Sequence, residues 1–102
     1  MKSILSQQQI NKIVNNIKTK NFSSALNETE KLSKNFPQSV EVNKLFISIY
    51  FNTKNWIKAI EHCEKILQTG VDEFKTLTNI GVALFNLGKI NQSIKSFKQA
   101  IL

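Results

Sequence analysis

Two side chains suited to nucleophilic or metal chemistry occur once each in this chain, and they are neighbours: His62 and Cys63. A structural zinc site needs four ligands, which one His and one Cys cannot supply. Adjacent residues on a helix point about 100° apart, so a nucleophile with its base aligned on it does not fit this spacing either. The surrounding pattern puts Cys63 on an apolar stripe, where Cys acts as a small hydrophobe, and turns His62 outward. Paired carboxylates offer no more: Glu28 with Glu30, Glu61 with Glu64, and Asp72 with Glu73 fall on helix surfaces or at a helix start, where acids complement the backbone dipole. The three Gly are isolated, so no phosphate-cradling loop forms. The expectation is a chain with no metal, no cofactor and no catalysis of its own.

The charge balance is +7, and all fourteen basic residues are Lys. A basic excess can serve nucleic acid or an anionic membrane surface. Here the Lys are dispersed, and the absence of Arg removes the planar two-pronged donor that dominates phosphate and base recognition. Lys89, Lys95 and Lys98 near the end lie without an acid close in sequence and read as a solvated outer face. Single-stranded RNA would want exposed aromatics among them, and Phe97 belongs to a buried stripe. Nucleic acid is therefore not expected as a partner. A single Cys excludes an internal disulfide, and no segment approaches the roughly 20 apolar residues of a transmembrane helix. The default expectation is a cytoplasmic protein.

With 102 residues, 41% of them hydrophobic, the chain can build one domain with a true core. One Pro and three Gly are too few turn makers for a many-stranded sheet. At an offset of 34 residues the pairs Ala25-Leu26, Ala59-Ile60 and Ser93-Ile94 superpose, with Phe22, Trp56 and Ile90 ahead of them and Leu32, Ile66 and Ala100 after. Thr19-Lys20-Asn21 lies over Thr53-Lys54-Asn55, and Leu87-Gly88-Lys89 takes the third place. Within a unit the apolar spacing is helical, as at Ala59, Ile60, Cys63, Ile66 and Leu67. Pro37 stops one helix, and Gly70 and Gly88 allow the left-handed residue that ends others; Asn21 and Asn55 substitute for Gly or cap the following helix. The pattern predicts an all-α fold of six helices, near 6–18, 22–35, 39–53, 56–69, 73–87 and 90–102. They pair into three helix-turn-helix hairpins spanning about 6–37, 40–71 and 74–102 of a single domain. Small residues at 25, 59 and 93, and Gly81 opposite, let paired helices approach closely.

These residues resemble the tetratricopeptide repeat. The third unit carries the pattern best, in Leu77, Ile80-Gly81, Leu84, Gly88, Ser93, Phe97 and Ala100. The second has Phe46, Tyr50, Trp56, Ala59 and Cys63, and the first ends with Ala25, Leu32 and Pro37. Lys12 and Asn16 depart from it; a turn one residue shorter would put Ile13 and Ile17 at the core places of Phe46 and Tyr50. The resemblance implies an αα-superhelix in which the first helix of each hairpin lines a concave groove, and so a scaffold that binds a peptide or partner protein. Groove residues would then be Lys44, Ser48, Phe51 and Asn52 on one helix and Lys75, Thr78, Val82, Phe85 and Asn86 on the next. Phe51 and Phe85 would form an apolar ladder or, alternatively, plug the interface between units. The Asn amides would hold a partner's backbone. Members that clamp chaperone carboxylate tails use paired Lys and Asn; Lys44 and Asn79 match part of that set, but Ser48 stands where Asn is expected, so tail binding is not predicted.

The last helix is still amphipathic at Leu102 and lacks the polar-faced cap such stacks usually carry. That implies a homodimer, a borrowed helix, or the front of something longer. The first unit, ending Asn35-Phe36-Pro37, resembles the N-terminal repeat arrays of bacterial sulfotransferases and glycosyltransferases, which makes a recognition segment of such a transferase the alternative. A basic RNA- or membrane-surface protein is the third reading.

Overall fold

A computed structural model describes residues 5–102, and these are helical throughout apart from their turns. The six helices are α1 (Gln7–Lys18), α2 (Phe22–Asn35), α3 (Val40–Asn52), α4 (Trp56–Leu67), α5 (Glu73–Asn86) and α6 (Ile90–Ala100). Every boundary lies within two residues of the one expected from periodicity. Ser6, Ser39 and Asn55 cap α1, α3 and α4 by accepting from the backbone N–H of Gln9, Val42 and Lys58, which satisfies a donor that the helix itself cannot.

The three turns inside the hairpins share one geometry. Lys20, Lys54 and Gly88 stand at φ 63°, 60° and 80°, at the same place in each repeat. The N–H of the residue after each closes back on a carbonyl of the preceding helix: Asn21 to Asn16, Asn55 to Tyr50, Lys89 to Leu84. With the N–H of Lys20, Lys54 and Gly88 bonded to the carbonyls of Ile17, Phe51 and Phe85, this double closure on a left-handed residue is the Schellman ending. Two expectations are corrected here. The left-handed residue is the Lys, not the Asn, and Asn21 makes no side-chain cap. Nor is the first turn a residue shorter: α1 ends and α2 begins 34 residues before α3 and α4 do, so Lys12 and Asn16 keep the places of Phe46 and Tyr50. Ile13, beside Lys12, is 1% exposed and takes over the burial.

Successive helices pack on one another, and α1 also packs on α3. One apolar cluster joins α1, α2 and α3 through Ile13, Ala25, Leu32, Val42, Leu45, Phe46 and Ile49. A second joins α3 and α4 through Ile47, Cys63 and Ile66, with Ile80 of α5 against it. The small residues Ala25, Ala59 and Ser93 are at most 1% exposed, because each sits where two helices meet most closely. Gly81 has the sharpest reason to be Gly: a Cβ there would lie 2.6–2.8 Å from the ring atoms of Phe97. The Ser93 hydroxyl donates to the Gly81 carbonyl (2.7 Å) and the Ser96 hydroxyl to that of Leu77 (2.8 Å). As α6 advances its partners on α5 retreat, so this hairpin is antiparallel. Among the described residues no helix is long and apolar enough to cross a membrane.

Candidate functional site

Where α1 meets α3 the helices touch, but α3 and α5 leave a cleft of about 250 Å³ between them. On α3 the spacing 44, 47, 48, 51 makes one face, and on α5 the spacing 72, 75, 76, 79 makes the face opposite. Ile47 and Ile66, 8% and 2% exposed, form the apolar floor. Lys44, Ser48, Asn52, Asp72, Lys75 and Asn79 supply the polar margin. Phe51 forms one end wall, held edge-on against Trp56 with ring centres 5.2 Å apart.

The Lys44 ammonium donates to the Asp72 carboxylate across the mouth. That hydrogen bond, helped by the ammonium charge, holds the Asp72 carboxyl below its ordinary range. Asp72 stands at the start of α5 in the left-handed region, φ 52°, and makes no cap to α5. Its side chain serves the cleft instead. Asn52 donates to the Ser48 carbonyl one turn back (2.7 Å), which leaves its carbonyl oxygen and one N–H for another molecule.

Of the nine residues expected to line a groove, Lys44, Ser48, Phe51, Asn52 and Lys75 surround this cleft. Thr78, Val82, Phe85 and Asn86 do not: Thr78 and Phe85 are turned about 100° from Asn79, and Val82 and Asn86 continue the stripe of Lys75 and Asn79 one and two turns past the last α5 residue of the lining. Phe85 is 61% exposed, Asn86 donates to the Val82 carbonyl, and Thr78 to that of Phe74. The reason is geometric. A cleft between neighbouring units takes the leading face of one helix and the trailing face of the next. Thr78, Val82, Phe85 and Asn86 repeat Lys44, Ser48, Phe51 and Asn52 at a 34-residue offset, but α3 meets the first turns of α5, at Asp72, Lys75, Thr76 and Asn79, so the repeated residues fall to the side of the cleft or past its end. Ile47, Ile66, Asp72 and Thr76 were not anticipated. The i, i+3, i+4, i+7 spacing of Asp72, Lys75, Thr76 and Asn79 is the signal that marks the trailing face.

His62 corrects another expectation, since it does not face outward. Its ring stacks on Phe46 (4.2 Å between centres, 17° between planes) and lies 5.7 Å from Tyr50. Nδ1 is 2.7 Å from Oδ1 of Asn43, itself 3% exposed; the amide oxygen accepts, so Nδ1 carries the proton. Burial, with Lys65 next in weight, lowers the imidazole to about 4. Burial likewise raises the Cys63 thiol to about 12. Near pH 7 the pair is a neutral imidazole and a protonated thiol. Among the described residues no three His, Cys, Asp or Glu lie together as metal ligands.

No family model matches the chain, and neither a curated protein nor a solved structure matches it.

Proposed function

We propose that the chain is a three-unit solenoid of the tetratricopeptide kind, and that it binds a polypeptide partner in the cleft between α3 and α5 without catalysing a reaction. The recurrence of the left-handed turn at Lys20, Lys54 and Gly88 supports the repeat, as does the recurrence of a buried small residue at Ala25, Ala59 and Ser93. The cleft itself carries the functional reading. It pairs an apolar floor at Ile47 and Ile66 with a margin of amides, a hydroxyl and charges. At about 250 Å³ it falls below the roughly 300–1,000 Å³ typical of small-molecule sites, yet it suits one or two side chains of a peptide laid across it. An apolar residue would enter toward Ile47, and the Asn52 and Asn79 amides would meet the peptide backbone. Cys63, the single thiol, is free and buried, which suits a reducing compartment such as the cytoplasm.

Selection of peptides from a displayed random library on the whole chain tests this reading. Enriched peptides should share an apolar anchor, and Ser48→Trp, which fills the cleft from its α3 side, should weaken them by about tenfold or more, or about 1.4 kcal/mol, with helicity unchanged. Peptides that bind wild type and Ser48→Trp alike would refute it.

A further inference from the structure

The opposite side of the molecule holds two furrows in matching places. One lies between α2 and α4 over α3, about 310 Å³, and the other between α4 and α6 over α5, about 420 Å³. Phe46, Tyr50 and His62 of the first are replaced, at the same 34-residue offset, by Ile80, Leu84 and Ser96 of the second. Asn43, which holds His62, is replaced by Leu77. In the earlier furrow the imidazole lies 4.2 Å above the Phe46 ring and covers it. In the later one the Ser96 hydroxyl bonds across to the Leu77 carbonyl, but the side chain is too short to cover Ile80 and Leu84 as the imidazole covers Phe46. Where a ring sits in one unit, the next has an open apolar hole floored by Leu77, Ile80 and Leu84.

We propose that the furrow between α4 and α6 docks an amphipathic helix of a partner protein, which inserts one bulky apolar side chain where His62 sits in the preceding unit and lays carboxylates along the α6 edge. Ile60 and Leu67 on the α4 wall are seven residues apart, so the apolar strip is about 10 Å long, or two turns of a docked helix. Charge selects the partner. Residues 74–102 contain four Lys and no acid; Lys95 lines the furrow and Lys98 follows, exposed, three residues on. Glu64 stands on the α4 wall, so the complementary carboxylates belong on the α6 side alone. A second copy of this chain is a poor occupant, because its helices with two acids, α2 (Glu28, Glu30) and α4 (Glu61, Glu64), already bury their apolar residues at Ala25 and Leu32 and at Ala59, Cys63 and Ile66. The earlier furrow, where the imidazole covers Phe46 and the walls carry Glu30, Ser33, Lys34, Lys58 and Lys65, offers no comparable apolar floor to such a side chain.

The test uses the whole chain and two synthetic helical peptides about 16 residues long, with the same apolar stripe and one Trp, flanked by Glu in one and by Lys in the other. Fluorescence anisotropy should show the Glu peptide binding about tenfold or more tightly than the Lys peptide. Leu77→Asn with Ser96→His, which rebuilds the Asn43–His62 pair in this unit, should cost the Glu peptide about tenfold or more. Lys95→Glu with Lys98→Glu changes only exposed side chains and should reverse the preference between peptides, which keeps the test decisive if the buried variant does not fold. Ser48→Trp, on the other side of the molecule, should leave Glu-peptide binding unchanged. Equal binding of both peptides, no change of preference on charge reversal, or loss of binding in Ser48→Trp would overturn the proposal. So would sedimentation showing a dimer of wild type that Ser96→Phe dissociates, since the occupant would then be a second copy.

Discussion

Replacing Lys20 and Lys54 by Gly should stabilise the protein, and the size of the gain follows from the turns. Both residues are held at φ near 60°, where an L side chain costs about 1–2 kcal/mol against the following carbonyl. Gly relieves that cost and gives back part of it through the larger entropy of the unfolded chain, about 0.5–1 kcal/mol. The net gain is about 0.5–1 kcal/mol at each site. The sites belong to separate turns 34 residues apart, so their effects should add, giving about 1–2 kcal/mol. For a domain near 100 residues that is a Tm rise of about 5–10 °C. Circular dichroism during heating and in urea reads both quantities. Lys→Ala at the same positions is the control, because it removes the same charges and keeps the strained φ. The mirror variant Gly88→Lys, at φ 80°, should lose about 1 kcal/mol. If Lys→Gly leaves Tm unchanged or lowers it, or if Gly88→Lys is neutral, the three turns do not share a left-handed residue and the argument for equivalent units fails.

Gly81→Ala should destabilise by about 1–3 kcal/mol through overpacking against Phe97, and Phe97→Leu in the same chain should recover part of the loss in urea melts; an additive double variant would refute the contact. His62 should titrate near 4, against an ordinary 6.5, when its imidazole is followed by NMR. Because the folded state binds this proton more weakly than the unfolded state, the stability it carries is complete above pH 6.5 and is lost as pH falls toward about 4. After allowance for solvent screening of a half-exposed ring, wild type should lose about 1–2 kcal/mol more than His62→Gln over that range; parallel profiles would refute it. Lys44→Met should raise the Asp72 carboxyl back toward 3.8, seen as a moved carboxyl titration by NMR, and no movement would show that the pair does not form in solution.

What was legible in the sequence was whatever depends on period. Helix positions, the buried rank of Ala25, Ala59 and Ser93, and the close approach at Gly81 all follow from spacing, because helix packing needs the same kind of contact at the same place in each unit. The cleft was half legible for the same reason. A fixed offset groups equivalent faces, so it finds Lys44, Ser48, Phe51 and Asn52 and then matches them to Thr78, Val82, Phe85 and Asn86. Two equivalent faces do not face each other in a stack, however. Of the surface opposite α3 the spacing supplied Lys75, whereas Asp72, Thr76 and Asn79 had to be reached by moving toward the start of α5 and partly around it, a step that needs the direction in which the helices are laid down. His62 was misplaced for a related cause. One polar residue beside a buried Cys reads as exposed, and its inward position rests on Asn43, 19 residues earlier on another helix.

The left-handed residue shows the same limit at the scale of one turn. Gly88 announces its own geometry, since Gly pays no steric cost there. Lys20 and Lys54 do not, and Asn, the more tolerant residue, sits beside them. The Lys are placed by the closing bonds from Asn21 to Asn16 and from Asn55 to Tyr50, which need the left-handed residue one position earlier. The packed hairpin therefore overrides local preference twice and agrees with it once. If the units are equivalent as proposed, Gly at the first two turns should bring all three into agreement, whereas Gly at Asn21 or Asn55 should bring no gain.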